Sequence, residues 1–300
     1  MARFGRVLTA MVTPFDADGG LDLDGAAELA AWLVEHGSDG LVVAGTTGEA
    51  PTLTHAEQAD LIATVVDAVD VPVIAGAGSN DTRAAIDLTK RAGEAGAEAI
   101  LSVTPYYNRP SQKGLLAHFT AVAGATDLPV VLYDIPVRTG RKIETDTLIE
   151  LAHTVDNIVA LKDAAGDPAE TARFAAHAPD GFEVYSGDDN LTLPLLAIGA
   201  VGVIGVATHW AGAEHQQMVS AFERGDVAEA ARINRALLPS YRFETSPDAP
   251  NPIPTKAMMR VLGLPGGHCR PPMHDVPDGL EHHARDVLTG VEVGREFLGG

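Results

Sequence analysis

Lys162 stands where an apolar run, Asn157-Ile158-Val159-Ala160-Leu161, gives way to Asp163-Ala164-Ala165-Gly166-Asp167. The run reads as a buried parallel strand with the lysine at its carboxyl end. An ammonium group that loses its hydration shell is disfavoured, and a neutral amine near pH 7 can attack a ketone to form a Schiff base. The competing reading is a lysine that snorkels from the strand end into solvent. Because alternate side chains of a strand share a face, Ile158, Ala160 and Lys162 are expected on one side, with Val159 and Leu161 on the other.

Other residue types that could serve such an amine recur at the ends of apolar runs. Gly45-Thr46-Thr47-Gly48-Glu49 combines a tight turn with exposed N–H groups and two hydroxyls, which suits a carboxylate or an oxyanion. A turn with capping threonines is the plainer account of it. Val103-Thr104-Pro105-Tyr106-Tyr107-Asn108-Arg109-Pro110 carries two adjacent phenols. In Leu132-Tyr133-Asp134-Ile135-Pro136-Val137-Arg138-Thr139-Gly140, Tyr133 shares the parity of Val131 and is expected to face the same interior as Lys162. A buried tyrosine more often only packs and makes one hydrogen bond. Arg138 can offer a bidentate fork to a carboxylate, or form a surface ion pair. Tyr185-Ser186-Gly187-Asp188-Asp189 and Gly202-Val203-Ile204-Gly205-Val206 supply small residues that leave room for a ligand.

These groups need a scaffold that gathers strand ends. Eight strand candidates, Val7–Val12, Gly40–Ala44, Val71–Ala75, Ala99–Val103, Val130–Tyr133, Ile158–Lys162, Glu183–Ser186 and Gly202–Val206, alternate with amphipathic stretches up to about Arg224. The stretches are Asp24–His36, Thr54–Val69, Asp81–Ala95, Lys113–Ala125, Thr145–His153 and Pro168–Ala178. Thr54 with Glu57 forms a capping-box signature, and Pro168 suits the first turn of a helix. Eight such units imply an α/β chain folded as a closed (β/α)8 TIM barrel, with an open doubly wound sheet as the alternative. Residues 1–225 are then the catalytic barrel and residues 226–300 a C-terminal helical appendage. That appendage contains helices at Asp226–Leu238, Thr255–Leu262 and Asp278–Thr289, with a glycine- and proline-rich segment from Gly263 to Pro277.

Composition narrows the function further. Forty-one acidic residues against 21 basic ones give a net charge of -20, which disfavours nucleic acid and anionic membranes as partners. The acid-rich surface, with only five lysines, resembles that of proteins from a high-salt cytoplasm, where counter-ions screen self-repulsion. A gain in activity from molar potassium chloride is the corresponding expectation. No apolar run matches a membrane span or a signal peptide, so a cytoplasmic location is expected. The single Cys269 excludes an intrachain disulfide and a multi-cysteine zinc site. His153, His177, His209 and His215 are scattered and form no compact metal-ligand set.

In this order and spacing, the glycine-threonine motif, the Tyr106-Tyr107 and Tyr133 loops, Arg138-Thr139-Gly140, Lys162, Tyr185–Asp189 and Asn251-Pro252-Ile253-Pro254 resemble the dihydrodipicolinate synthase family of Schiff-base lyases. The resemblance runs from about Gly5 to Lys256. It implies that Lys162 condenses with pyruvate without any cofactor, that the enamine attacks aspartate semialdehyde, and that Tyr133, Thr46 and Tyr107 relay protons. It implies too that Thr47 and the Ile204 backbone hold the pyruvate carboxylate, that Gly187 belongs to the substrate site, and that Arg138 and Asn251 serve the second substrate. Tyr107 would reach a neighbouring subunit, making the chain a dimer or tetramer.

In the family's lysine-inhibition site, His55, Asn80 and Tyr106 match, but Ala84 replaces an expected acid, and Ala50 and Gln58 also depart. Weak or absent inhibition is therefore expected. The nearest rivals are a 2-keto-3-deoxy sugar-acid aldolase or sialic acid lyase of the same superfamily. A metal-dependent barrel enzyme and a non-catalytic pyruvate- or amino-acid-binding barrel are rivals of other classes.

Overall fold

The computed structural model describes residues 2–273 and 276–298; residues 274 and 275, inside the glycine- and proline-rich segment, lie outside the described set. Eight parallel strands run in sequence order: β1 (Val7–Ala10), β2 (Gly40–Val43), β3 (Val73–Gly76), β4 (Ala99–Val103), β5 (Val130–Asp134), β6 (Ile158–Asp163), β7 (Glu183–Ser186) and β8 (Gly202–Gly205). Pairing of Val7 with Val203 and Leu8 with Ile204 joins the last strand to the first, so the barrel is closed and the open-sheet alternative is excluded.

Helices α1 (Leu23–Glu35), α2 (His55–Ala68), α3 (Thr82–Glu94), α4 (Gln112–Ala123), a short α5 (Pro136–Thr139), α6 (Thr145–Thr154), α7 (Pro168–Ala175), a short α8 (Thr192–Leu196) and α9 (Thr208–Glu223) alternate with the strands. The expected starts hold for chemical reasons. Thr54 Oγ1 accepts the Glu57 N–H at 3.2 Å while the Glu57 carboxylate accepts the Thr54 N–H at 2.8 Å, and Pro168 follows the N-cap Asp167. Four more helices follow: α10 (Val227–Phe243), α11 (Ile253–Val261), α12 (Leu280–Leu288) and α13 (Glu292–Leu298). No helix among the described residues is long and apolar enough to cross a membrane.

Two apolar layers hold the strands. Leu8, Val42, Ile74, Leu101, Val131 and Ile204 fill the barrel interior. Leu29, Leu41, Val43, Val65, Leu132 and Leu161 belong to the second layer, between the strands and the helices. Period-two alternation therefore sorts most of each strand correctly, but β6 departs from it. Ile158 pairs with Val130 and Ala160 with Val131, leaving Val159 as the extra residue of a bulge. Ile158 consequently packs in the outer layer and Val159 against the interior, so Ile158 does not share a face with Lys162 as strict alternation predicts.

The second departure lies in α10, expected to stop at Leu238 before Pro239. Proline has no N–H to complete the helical ladder. The helix nevertheless continues to Phe243, because the added turn buries Ser240, Tyr241 and Phe243 against α9. Ser240 Oγ accepts the Trp210 indole N–H at 3.0 Å, and the Phe243 ring meets Trp210 edge-on.

The later segment is bound to the barrel by charge. Lys256, 1% exposed at its side chain, lies 2.7 Å from Glu49 Oε1, and Arg270 forms a 2.6 Å ion pair with Glu57. Both cations also stand over the Phe15 ring.

Candidate active site

The β5–β6 register sets Tyr133 beside Lys162, and both side chains enter the interior at the carboxyl ends of their strands. Lys162 is 5% exposed and its Nζ lies 4.4 Å from the centre of the Tyr133 ring. The snorkelling alternative therefore fails. Burial lowers the Lys162 pKa from 10.5 to about 8, opposed by the negative charge of Asp189 and reinforced by the positive charge of Arg138. Burial pushes the Tyr133 phenol up to about 12, against the opposing influences of Arg138 and of a hydrogen bond from Thr46. The phenol is thus a neutral proton donor at neutral pH.

Gly187 allows this arrangement. A Cβ there would lie 2.9 Å from Lys162 Cγ and 3.1 Å from Cε, so the missing side chain makes room for the lysine itself. The glycines of β8 have a different purpose from the ligand space expected of them. A Cβ on Gly202 would collide with the Arg6 carbonyl, and one on Gly205 with Asp189 Oδ1. They permit close packing of the barrel wall. Between them Ile204 is fully buried and pairs with Leu8.

The turn after β2 is built under strain. Ala44 and Glu49, at its two ends, both take a left-handed φ of 55°, a conformation that costs ~1–3 kcal/mol for such residues and persists only where the surroundings impose it. Thr13 Oγ1 donates to the Gly48 carbonyl at 2.5 Å. Glu49 is anchored by Lys256 and by the Arg270 N–H. Among the described residues, the N–H groups of Thr46, Thr47 and Gly48 find no backbone acceptor. The buried Thr47 hydroxyl accepts the Asn251 amide at 2.9 Å, and Asn251 Oδ1 accepts Thr255 Oγ1 at 3.2 Å. Asn251 thus joins the site by holding Thr47, and its carbonyl lies 3.5 Å from Arg138 Nη2.

A cavity of about 380 Å³ opens above Tyr133, bounded by Thr46 and Arg138 and continuing outward to His55, Gln58 and Tyr106. Lys162 itself does not line this cavity; its Nζ stands over the ring of Tyr133, which does. Tyr107, 91% exposed with φ of 70°, does not line this cavity within one chain.

Among the described residues, no group of three or more His, Cys, Asp or Glu side chains is placed to hold a metal ion. His209 instead accepts the Val12 N–H at Nε2 and donates from Nδ1 to the Val206 carbonyl, pinning β1 to β8 as a neutral ring whose pKa burial lowers to about 4. Sequence reasoning quoted Asp189 and Glu49 within their motifs but gave neither a partner, and it passed over Glu244 and the pairing of Glu49 with Lys256. All three depend on contacts between segments distant in the chain, and their local surroundings, Gly187-Asp188-Asp189-Asn190, Phe243-Glu244-Thr245 and Gly48-Glu49-Ala50, carry no signal of them.

A buried lysine whose pKa burial lowers, against the ring of a neutral tyrosine at the carboxyl ends of the strands of a closed (β/α)8 barrel, defines a site equipped for imine chemistry. The model of the dihydrodipicolinate synthetase family matches residues 3–290. Among curated proteins, the 4-hydroxy-tetrahydrodipicolinate synthase of Acidothermus cellulolyticus is 55% identical over 278 residues, covering 91% of this chain and 88% of that protein. The enzyme of the same name from Moorella thermoacetica is 53% identical over 275 residues, covering 90% and 92%. A crystal structure of dihydrodipicolinate synthase from Cyanidioschyzon merolae with lysine bound superposes with a TM-score of 0.93 at 45% identity, covering 97% of this chain and 99% of that one. The chain belongs to the dihydrodipicolinate synthetase family.

Proposed function

We propose that this chain is a lyase that condenses pyruvate with L-aspartate 4-semialdehyde to give 4-hydroxy-tetrahydrodipicolinate, a step of lysine and diaminopimelate biosynthesis. The observation that carries the chemistry is the desolvated Lys162 amine, 4.4 Å from the Tyr133 ring centre, with its pKa lowered to about 8. The neutral amine adds to the ketone carbon of pyruvate, and loss of water leaves an imine. Removal of a methyl proton gives the enamine, whose carbon attacks the aldehyde. The amino group of the second substrate then displaces Lys162 as the ring closes, regenerating the free amine. No external cofactor enters this sequence.

Tyr133, which shares the cavity wall with Thr46, donates and recovers the protons, and Tyr107 of a second copy extends the relay. This assigns a dimer or tetramer to the active form, and the 91% exposure of Tyr107 in a single chain supports it. Thr47, steadied by Asn251, and the free N–H groups of its turn hold the pyruvate carboxylate together with the Ile204 backbone. Arg138 receives the carboxylate of the aldehyde. The test compares kcat/KM for aspartate semialdehyde plus pyruvate with that for cleavage of 2-keto-3-deoxygluconate. Preference for the first supports the proposal, and efficient cleavage of the sugar acid assigns the chain to the aldolase branch instead.

A further inference from the structure

The turn after β2, which carries Thr46 and Thr47, is gripped from the far end of the chain. Its backbone closes through the Ala50 N–H to the Gly45 carbonyl and the Glu49 N–H to the Thr46 carbonyl, both at 3.1 Å. Gly48 is packed tightly, since a Cβ there would lie 3.1 Å from the Met11 carbonyl oxygen and 3.2 Å from the Ala44 nitrogen. Glu49 follows it, buried and with φ of 55°. Two residues of the later segment reach this turn. Asn251 donates to Thr47 Oγ1 at 2.9 Å, and Lys256, in α11, stands 2.7 Å from Glu49 Oε1. The connection between them is stiff, because Thr255 Oγ1 donates to Asn251 Oδ1 and every residue of Ile253–Met259 is buried.

The second carboxylate oxygen of Glu49 accepts the Arg270 N–H at 2.9 Å. The Lys256 ammonium donates to the His268 carbonyl at 3.0 Å and stands 4.1 Å from the centre of the Phe15 ring. Side-chain exposures of 1% for Lys256 and 2% for Glu49 keep water from the pair. A buried ion pair of this kind adds little net stability, because desolvating two charges offsets their attraction. What it fixes here is geometry. The left-handed φ of Glu49 persists only while its surroundings impose it. Released from Lys256, the residue relaxes towards an ordinary φ and turns the preceding N–H groups away from a common target.

We propose that Glu49 and Lys256 are positioning residues for the keto-acid carboxylate: through their ion pair, α11 holds the Thr46, Thr47 and Gly48 N–H groups convergent on it. The assignment rests on the Schiff-base reading and deepens it, since it makes the helical segment beyond the barrel part of what selects the substrate. Neither residue lines the cavity, so both act through the turn. A carboxylate keeps its charge from free keto acid to imine. Holding it is therefore binding of equal strength before and during reaction, and its loss raises KM while sparing kcat.

The test is the initial rate of borohydride trapping against ketone concentration, followed by intact mass, with pyruvate and with pyruvamide, a neutral ketone of similar shape. The proteins are the wild type, the isosteric Glu49→Gln, and the double variant Glu49→Gln with Lys256→Met, which leaves no lone buried charge; each is also melted. In both variants the half-saturating pyruvate concentration rises about tenfold, with the maximal rate within about twofold of wild type. Half-saturation by pyruvamide moves by less than about twofold, because that ketone has no charge for the turn to hold. A merely structural disturbance would weaken both ketones alike. A folded variant with wild-type half-saturation by pyruvate would overturn the inference, and so would equal losses for pyruvate and pyruvamide; either variant decides the matter if the other does not fold. Failure of the wild type to form an adduct with either ketone would overturn the Schiff-base reading itself.

Discussion

Adding one methyl group at Gly187 tests how tightly the lysine is positioned. The Cβ of Gly187→Ala would stand 2.9 Å from Lys162 Cγ, 3.1 Å from Lys162 Cε and 3.1 Å from the Ala164 Cβ. Carbon pairs settle at about 3.5–4.0 Å, so the lysine chain must withdraw by ~0.7 Å at Cγ. Misplacing a reacting group by roughly 1 Å costs about 10²-fold in rate. Gly187 is not among the left-handed glycines, so alanine meets no backbone penalty. Crowding is partly offset by the lower entropy of the unfolded chain, leaving a net cost on the order of 1 kcal/mol. The assay is stopped-flow trapping of the pyruvate adduct beside a melting curve. The expected result is a ~10²-fold slower adduct with a melting point lowered by only a few degrees. A folded Gly187→Ala protein that traps pyruvate at the wild-type rate would refute the claim that Gly187 exists to seat the lysine.

Three other outcomes follow from the same contacts. With the Lys162 pKa at about 8, about 9% of the amine is neutral at pH 7, against ~0.03% for an ordinary lysine. The trapping rate therefore rises nearly tenfold per pH unit below 8 and flattens above it, and a rise that continues to pH 10 would contradict this. The Glu57 pKa is lowered to about 2, chiefly by its hydrogen bond from Arg270. Because the folded value lies below the unfolded one, the pair's stabilisation is fully present above about pH 4.5 and is lost as pH falls towards 2, so the gap between the melting curves of wild type and Arg270→Gln should narrow in acid to what the contacts of Arg270 with Phe15, Gly19 and Thr52 contribute. Finally, lysine should inhibit weakly or not at all. Ala84 supplies no carboxylate for its ammonium, and Asp87 one turn further on is taken by Arg91 at 2.8 Å and His55 at 3.3 Å. Strong inhibition by submillimolar lysine in a coupled assay would show otherwise.

Much of this site is legible along the chain because a parallel barrel converts local pattern into position. An apolar run ending in Lys162, a second ending in Tyr133 and a glycine-threonine turn must converge once eight strand-helix units close. Simple alternation failed at β6, since a bulge depends on how two strands twist together and leaves no mark in the residues Ile158-Val159-Ala160. Pro239 misled for a related reason: its local preference for ending a helix was outweighed by the burial of Tyr241 and Phe243 on α9. That extra turn brings the Tyr241 hydroxyl to 3.4 Å from His215 Nε2, so the buried contact of His215 with Asp189 was hidden together with it. Asn251 was readable as a site residue, but its grip on Thr47 joins positions 204 residues apart and required the folded chain.

The central assignment is that one amine becomes covalently joined to the keto acid. Only Lys90, Lys113, Lys142, Lys162 and Lys256 compete for that bond. Reduction with borohydride in the presence of pyruvate, followed by peptide mass mapping, should place a single pyruvate-derived adduct on Lys162. An unlabelled Lys162 peptide, or a label on any of the other four, would contradict it.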